Sequence, residues 1–73
     1  MFNEEDRKMC EMIHRDGVIM KDSTFTCEGY VYRQFLIYYT NYENGNIIEY
    51  HLTGKDGEWI YIHCAGIVGN IFN

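Results

Sequence analysis

Three cysteines and three histidines are the residues of this sequence that could bind a structural zinc ion: Cys10, His14, Cys27, His51, His63 and Cys64. Thiolate sulfur and imidazole nitrogen are the usual ligands of a structural zinc ion, which is normally held by four of them. Structural sites usually include two ligands only a few residues apart, and the one spacing of this kind here is Cys10-x₃-His14. One close pair is too few for a four-ligand site, so we expect free thiols, no bound metal and no other cofactor. A small zinc-binding regulator is the third-ranked function.

A nucleophilic enzyme would need a cysteine or serine beside a base that an acid orients. The nearest arrangement is His63 beside Glu49, with His51 close to both on one face of a predicted sheet. No cysteine or serine lies beside these residues on that face. The glycines read as turns, a helix cap or the tail rather than as a phosphate-binding loop, and a small sheet offers no enclosed cleft. The sequence therefore predicts a protein that is not an enzyme and has no catalytic residues.

One predicted helix and one predicted antiparallel sheet position these side chains. Asn3 is a good N-cap, acidic residues follow it in the first turn, and Gly17 suits a left-handed stop, so the helix is predicted over 4–16. Its apolar stripe consists of Met9, Met12 and Ile13, with Cys10 at the edge. A helix with one apolar side is suited to covering a sheet.

The strand 30–40 is the clearest in the chain because aromatic and β-branched residues fill it. After it, Asn44-Gly45 favours a two-residue type I′ loop that pairs Tyr39 with Tyr50 and Ile37 with Leu52. The segment 54–58 favours a three-residue loop with Gly57 left-handed, which pairs Leu52 with Ile60 and Tyr50 with Ile62. The two turns predict a C-terminal three-stranded meander.

Both turns place the same apolar set on one face of the sheet: Phe35, Ile37, Tyr39, Ile48, Tyr50, Leu52, Ile60, Ile62 and Cys64. A slip of one residue in either hairpin would break this set, so this face is the predicted core under the helix. The expected fold class is α+β, with one N-terminal helix packed on an antiparallel β-sheet of 3–5 strands, in a single small domain over 1–73.

Two segments are less determined. Residues 18–28 read as a hairpin of two short strands with Lys21-Asp22-Ser23 as its turn, followed by a bulge or bend at Gly29. The tail 65–73 is too apolar to hang free, so it packs either as an added strand or across the sheet.

The opposite face receives three predicted rows: Leu36, Thr53 and Trp59; Tyr38, His51 and Tyr61; Thr40, Glu49 and His63. Outer faces of antiparallel sheets are normally polar, so aromatic residues here favour a recognition surface, unless the chain's own tail or hairpin covers them. The candidate partner-binding residues are Tyr32, Leu36, Tyr38, Glu49, His51, Trp59, Tyr61 and His63.

Charge narrows the class of partner. Eleven acidic against six basic residues give a net charge of −5, with no cluster of Lys and Arg, which disfavours direct binding to nucleic acid or to a membrane. Near the candidate surface there are three acidic residues, Glu28, Glu49 and Glu58, and only one basic residue, Lys55. A protein with a basic surface is therefore the expected partner. An acidic N-terminus and the absence of a long apolar run predict a cytoplasmic protein.

The leading hypothesis is a non-catalytic protein-binding module, a small acidic inhibitor or adaptor. In size and charge the chain is similar to the inhibitors that phages and mobile elements encode against host nucleic-acid enzymes, including restriction and CRISPR nucleases (anti-CRISPR proteins), although no motif carries this likeness. Such a protein would act in the cytoplasm of the host cell. The alternative is a structural or regulatory homodimer or larger homo-oligomer that uses the same aromatic face.

Overall fold

The helix α1 spans Glu4–Asp16, as predicted, in a computed structural model that describes all 73 residues. The side chain of Asn3 accepts a hydrogen bond from the Asp6 backbone N–H at 2.9 Å, and the Asp6 carboxylate accepts one from the Asn3 N–H at 3.3 Å. This capping box satisfies two backbone donors that the first helical turn otherwise leaves unpaired.

The helix buries Cys10 and Ile13 completely, while Met9 is 40% exposed. The apolar stripe is therefore centred on Cys10 rather than bounded by it, which corrects the prediction. At the other end, Gly17 has φ −80° and ψ 174°, so it is extended and not left-handed. A Cβ atom at Gly17 would collide with the side chain of Ile37 and lie 2.7 Å from the carbonyl oxygen of Ile13, so the close packing of chain against chain requires glycine there.

Four strands follow the helix: β1 (Val18–Cys27), β2 (Tyr30–Thr40), β3 (Asn46–Lys55) and β4 (Glu58–Asn70). They form one antiparallel sheet in the order β1-β2-β3-β4, so every strand pairs with its neighbour in the sequence. The α+β fold with one N-terminal helix on an antiparallel sheet is thus confirmed, and the predicted three-stranded meander is β2–β4. No helix has the length and apolarity needed to cross a membrane.

The predicted hairpin within 18–28 is wrong, because β1 is a single strand. The turn lies at Glu28 and Gly29, whose φ angles are 51° and 83°. Both angles are positive, as a two-residue type I′ loop requires. Lys21 and Asp22 pair with Leu36 and Phe35 of β2 instead of forming a turn.

The other two loops also differ in length from the prediction. Between β2 and β3 the loop has five residues, 41–45, in which Asn41 N–H donates to the Asn46 carbonyl at 2.8 Å and Gly45 N–H donates to the Asn41 carbonyl at 2.7 Å. Between β3 and β4 a two-residue loop is formed by Asp56 and Gly57, with φ angles of 53° and 78°.

These loops shift both predicted registers by two residues. Ile37 pairs with Tyr50 and Tyr39 with Ile48, while Leu52 pairs with Ile62 and Tyr50 with Cys64. A shift of two leaves the side chains of β2, of β3 and of residues 61–64 on β4 on their predicted faces, because side chains alternate with a period of two. The strand β4 reaches this register through bulges at which Ile60, Ala65 and Val68 have no partner on β3.

The core lies between α1 and the sheet and consists of Cys10, Ile13, Phe35, Ile37, Tyr50 and Leu52. Of the remaining residues predicted for this face, Tyr39, Ile48 and Ile62 pack against the core, whereas Ile60 and Cys64 are exposed. The tail lengthens β4 as far as Asn70, and Ile71 N–H then donates to the Gly45 carbonyl at 2.9 Å. Because the tail adds length to an existing strand, it leaves the other face of the sheet bare.

Candidate functional site

The outer face is the side of the sheet opposite α1, and all four strands contribute to it. Strand alternation and the observed register give it four cross-strand rows: Val18, Tyr38, Glu49 and Gly66; Lys21, Leu36, His51 and His63; Ser23, Gln34, Thr53 and Tyr61; Phe25, Tyr32, Lys55 and Glu58. The helix packs on the opposite side of the sheet and the tail continues β4, so neither packs across these rows. Every one of them therefore presents its side chains to solvent or to neighbours in the same face.

Seven of the eight predicted binding residues lie on this face: Tyr32, Leu36, Tyr38, Glu49, His51, Tyr61 and His63. Their neighbours differ from the predicted ones because of the two-residue shift in register. Tyr61, for example, stands opposite Thr53 rather than His51, and its side chain is 52% exposed.

Trp59 is the eighth, and its predicted place on the outer face is wrong. It pairs with Gly54 on the helix side, where its ring centroid lies 5.6 Å from that of Phe35 and 5.3 Å from that of His14. The cause is the bulge at Ile60, because one extra residue between Trp59 and Tyr61 turns the two side chains to opposite faces. Trp59 therefore packs beside the core and is not part of the candidate surface.

His51 on β3 and His63 on the edge strand β4 stand directly opposite each other on the outer face, with ring centroids 5.8 Å apart. The Nε2 atom of His51 lies 2.7 Å from Oε2 of Glu49. Sequence reasoning paired Glu49 with His63, whereas the structure joins Glu49 to His51 and sets Gly66 opposite Glu49. The Tyr61 ring stacks near that of His63 at 6.4 Å between centroids.

An aromatic group occupies the end of the outer face near the two type I′ loops. The rings of Phe25 and Tyr32 stack at 5.1 Å with an interplanar angle of 12°. The Nζ atom of Lys55 lies 3.8 Å from the centroid of the Tyr30 ring. This separation is within the range of a cation–π contact. Phe25 and Tyr30 remain about half exposed, so this end offers flat apolar surface that is already ordered.

Sequence reasoning missed the contribution of β1, which brings Phe25 and Lys21 to the outer face. The available signal was Glu28-Gly29, a pair of residue types compatible with positive φ between two strand-like runs. With Lys21 present, the outer face carries two lysines, and the prediction that Lys55 stands alone is wrong. The excess acid is concentrated at the loop end, where Glu28, Asp56 and Glu58 lie.

Elsewhere the charges are mostly paired within the chain. Arg7 forms ion pairs with Glu4 and Glu11 along α1, and Arg33 donates two hydrogen bonds to the Asp22 carboxylate at 2.6 and 2.9 Å. The hydrogen bond from Arg33 holds the pKa of Asp22 below its ordinary value. These pairs lie on the helix and on the helix side of β1 and β2, away from the outer face.

The three thiols differ in environment. Cys10 is fully buried, and this burial raises the pKa of its thiol to about 11, so it stays protonated at neutral pH. Cys27 and Cys64 are exposed and unpaired. No three of the His, Cys, Asp and Glu side chains lie close enough together to hold a metal ion.

The helix side of the sheet also has a groove of about 440 Å³ beyond the end of the core. Its walls include His14, Phe35 and Trp59, and Arg33 lies over the Phe35 ring at 4.8 Å. The groove is open and bordered by both acidic and basic side chains, so its charge favours neither an anionic nor a cationic ligand.

Comparison with protein-family models, curated proteins and solved structures finds no match for this chain. The function is therefore inferred from the side chains of the outer face and from their arrangement.

Proposed function

We propose that this protein is a non-catalytic protein-binding module that docks through its outer face. The observation that carries this proposal is an uncovered sheet face with aromatic or aliphatic side chains on three of its strands: Val18 and Phe25 on β1, Tyr32, Leu36 and Tyr38 on β2, and Tyr61 on β4. The solvent-facing side of an antiparallel sheet is usually polar, and exposed apolar patches on soluble proteins commonly mark interaction sites.

The composition of the outer face suits recognition of a protein. Tyrosine is enriched among residues that dominate binding energy, because it offers a large rigid contact with a polar tip. Here Tyr32, Tyr38 and Tyr61 are distributed along the sheet rather than on a flexible loop. A partner that binds them orders few new degrees of freedom, which lowers the entropic cost of association.

Charge supports a partner with basic residues near one end of the contact. The net charge of −5 attracts a basic protein at long range, and the loop-end carboxylates Glu28, Asp56 and Glu58 place negative charge beside the Phe25–Tyr32 stack. The middle of the face, with Lys21 and Glu49, is close to neutral and suits apolar contact.

Within this class we propose an inhibitor or adaptor that occupies the surface of an enzyme with a basic groove. A nuclease of a restriction or CRISPR system, inhibited by a protein that a phage or mobile element encodes, fits the small size and acidic charge of the chain. Docking the loop end of the outer face against such a groove would block it sterically and electrostatically.

Self-association is the second candidate function, and one observation favours it along the edge strand β4 rather than across the outer face. From Trp59 to Asn73 the chain has no Asp, Glu, Lys or Arg, and Ile67 and Val68 of the edge strand β4 are 65% and 48% exposed. Edge strands of soluble proteins usually carry a charge that discourages pairing, as Lys21 and Asp22 do on β1. A homo-oligomer could therefore form along β4 without opposing charges.

Affinity capture with matched tyrosine variants tests the proposal. Three proteins are immobilised: the wild-type chain, a Tyr32→Ala/Tyr61→Ala variant and a Tyr42→Ala variant. Each is exposed to lysate of the cells that carry the gene, or of their host. Tyr42 is 77% exposed in the β2–β3 loop, outside the four strand rows of the outer face, so it controls for loss of a surface tyrosine. We expect a protein retained by the wild type and by Tyr42→Ala and lost with the double variant.

Retention of the same protein by the double variant, with its circular dichroism unchanged, would show that the outer face is not the docking surface. Light scattering separates the second candidate from the first. A mass of 8.7 kDa at tens of micromolar protein excludes a homo-oligomer, whereas a multiple of this mass favours it.

A further inference from the structure

The paired histidines of the outer face lie close enough together to share one metal ion. His51 on β3 and His63 on β4 are direct cross-strand partners, and both rings project from the same face. With Zn–N distances of about 2.1 Å, two imidazoles on a tetrahedral zinc ion have ring centroids roughly 5.3 Å apart. The observed separation of 5.8 Å is within reach of this value by small side-chain rotations.

Glu49 prepares His51 for such a role. Oε2 of Glu49 and Nε2 of His51 are 2.7 Å apart. A carboxylate can only accept a hydrogen bond, so in the neutral imidazole this contact places the proton on Nε2 and leaves Nδ1 with a free lone pair. A carboxylate that holds the distal nitrogen of a histidine is the common outer partner of zinc-binding imidazoles, because it fixes the tautomer and raises the basicity of the ligand.

The Tyr61 ring lies beside His63, with ring centroids 6.4 Å apart and an interplanar angle of 13°. Glu49 therefore orients His51 before any metal arrives, while His63 stands exposed beside it. An ion bound there would have open access from solvent.

We propose that His51 and His63 bind a divalent zinc ion, with Nδ1 of His51 and one ring nitrogen of His63 as ligands and water at the remaining positions. Since no third protein ligand converges on the pair, the ion keeps open coordination positions on the β4 side of the outer face. A spacing rule cannot detect such a site, because the two ligands come from different strands and are joined only by the register of β3 with β4.

Zinc titration tests this site without any protein partner, so its result is independent of the proposed docking function. Isothermal titration calorimetry is performed with the full chain carrying Cys27→Ser and Cys64→Ser, which removes the two exposed thiols as competing ligands. We expect saturable binding of one zinc ion per chain. Replacing His51 or His63 by Ala should weaken binding at least about tenfold, and Glu49→Gln should weaken it by about 10- to 100-fold.

His14→Gln is the matched control, because it removes the remaining histidine and leaves the pair intact. It should bind zinc as the serine background does. In nitrogen-15 spectra of the serine background, which retains His14, zinc should shift the ring resonances of His51 and His63 and leave those of His14 in place.

Two results would overturn the proposal. One is the absence of saturable binding in the serine background, and the other is binding that persists when His51 and His63 are both Ala. Circular dichroism of each variant, recorded first, ensures that the protein measured is folded.

Discussion

The face of the sheet under α1 and the outer face are built from the same strands, yet their side chains are used differently. On β2 and β3 the helix-side residues Ile37 and Leu52 are fully buried, whereas the outer-face residues Leu36 and Tyr38 on β2 are only partly buried. One covered face supplies the apolar burial that stabilises a chain of this size, because hydrophobic burial is the main favourable term in folding. The outer face is thereby free to bind a partner.

Thr53 shows where this division is incomplete. It belongs to the outer face but is only 6% exposed, between Gln34 and Tyr61 in its row. Cross-strand neighbours can therefore bury a small side chain without any covering element. The two faces differ because α1 covers only one of them, and the large side chains of the outer face show this difference most clearly.

Two leucines on opposite faces give the largest expected contrast. Leu52 is fully buried. Leu52→Ala should therefore lower the free energy of unfolding by about 2–5 kcal/mol. Leu36→Ala, on the outer face, should cost less than half as much because solvent already reaches that side chain. Urea denaturation of both variants measures the contrast, and equal losses would mean that the outer face is covered.

Trp59 and Tyr61 sharpen the comparison within a single strand. Trp59 packs against Phe35 and His14. Because it is not fully buried, Trp59→Ala should destabilise the protein by roughly 2 kcal/mol, below the loss typical of a buried aromatic residue. Tyr61→Ala should cost under about 1 kcal/mol, because the side chain is half exposed. A Trp59 emission maximum typical of a fully hydrated indole would contradict the bulge at Ile60.

The smallest expected effect at neutral pH concerns the thiol under the helix. Because burial raises the pKa of Cys10 from 9.0 to about 11, the unfolded thiol ionises at a lower pH than the folded one. Unfolding then releases a proton, so the stabilisation is fully present below pH 9 and is lost progressively as the pH rises to about 11. Urea denaturation across this range should show the loss in the wild type, and the Cys10→Ala variant should lack this part of the pH dependence.

Thiol labelling gives an independent check on Cys10. Under native conditions Cys27 and Cys64 should react rapidly with a disulfide reagent while Cys10 reacts only after urea is added. Three thiols of equal reactivity in the folded protein would contradict the packing of α1 on the sheet.

Local signals in the sequence were sufficient for the helix and for the faces of β2, β3 and residues 61–64 of β4. Asn3 and the acids after it place the start of α1, and strict alternation from Phe35 onward separates core residues from outer ones. The two-residue error in register did not change these faces. A prediction based on alternation is therefore robust to any register error of even length.

Long-range contacts account for what the sequence did not predict. The Phe72 ring of the tail packs against Gly45, and Asn70 donates hydrogen bonds to the Asn44 carbonyl and to the Asn46 side chain. The β2–β3 loop is therefore shaped by a segment that is distant in the sequence. Likewise Lys21-Asp22 reads locally as a turn, yet Arg33 on β2 holds Asp22 in a strand. Neither contact leaves a pattern in the adjacent sequence.

The most direct test of the outer face as a docking surface is the affinity of the captured partner for matched tyrosine variants. Calorimetry with the purified partner should give at least about tenfold weaker binding for Tyr61→Ala, a loss of about 1.4 kcal/mol or more, and wild-type affinity for Tyr42→Ala. Equal affinity of the wild type and Tyr61→Ala, together with weaker binding by Tyr42→Ala, would contradict the account and place the contact at the β2–β3 loop.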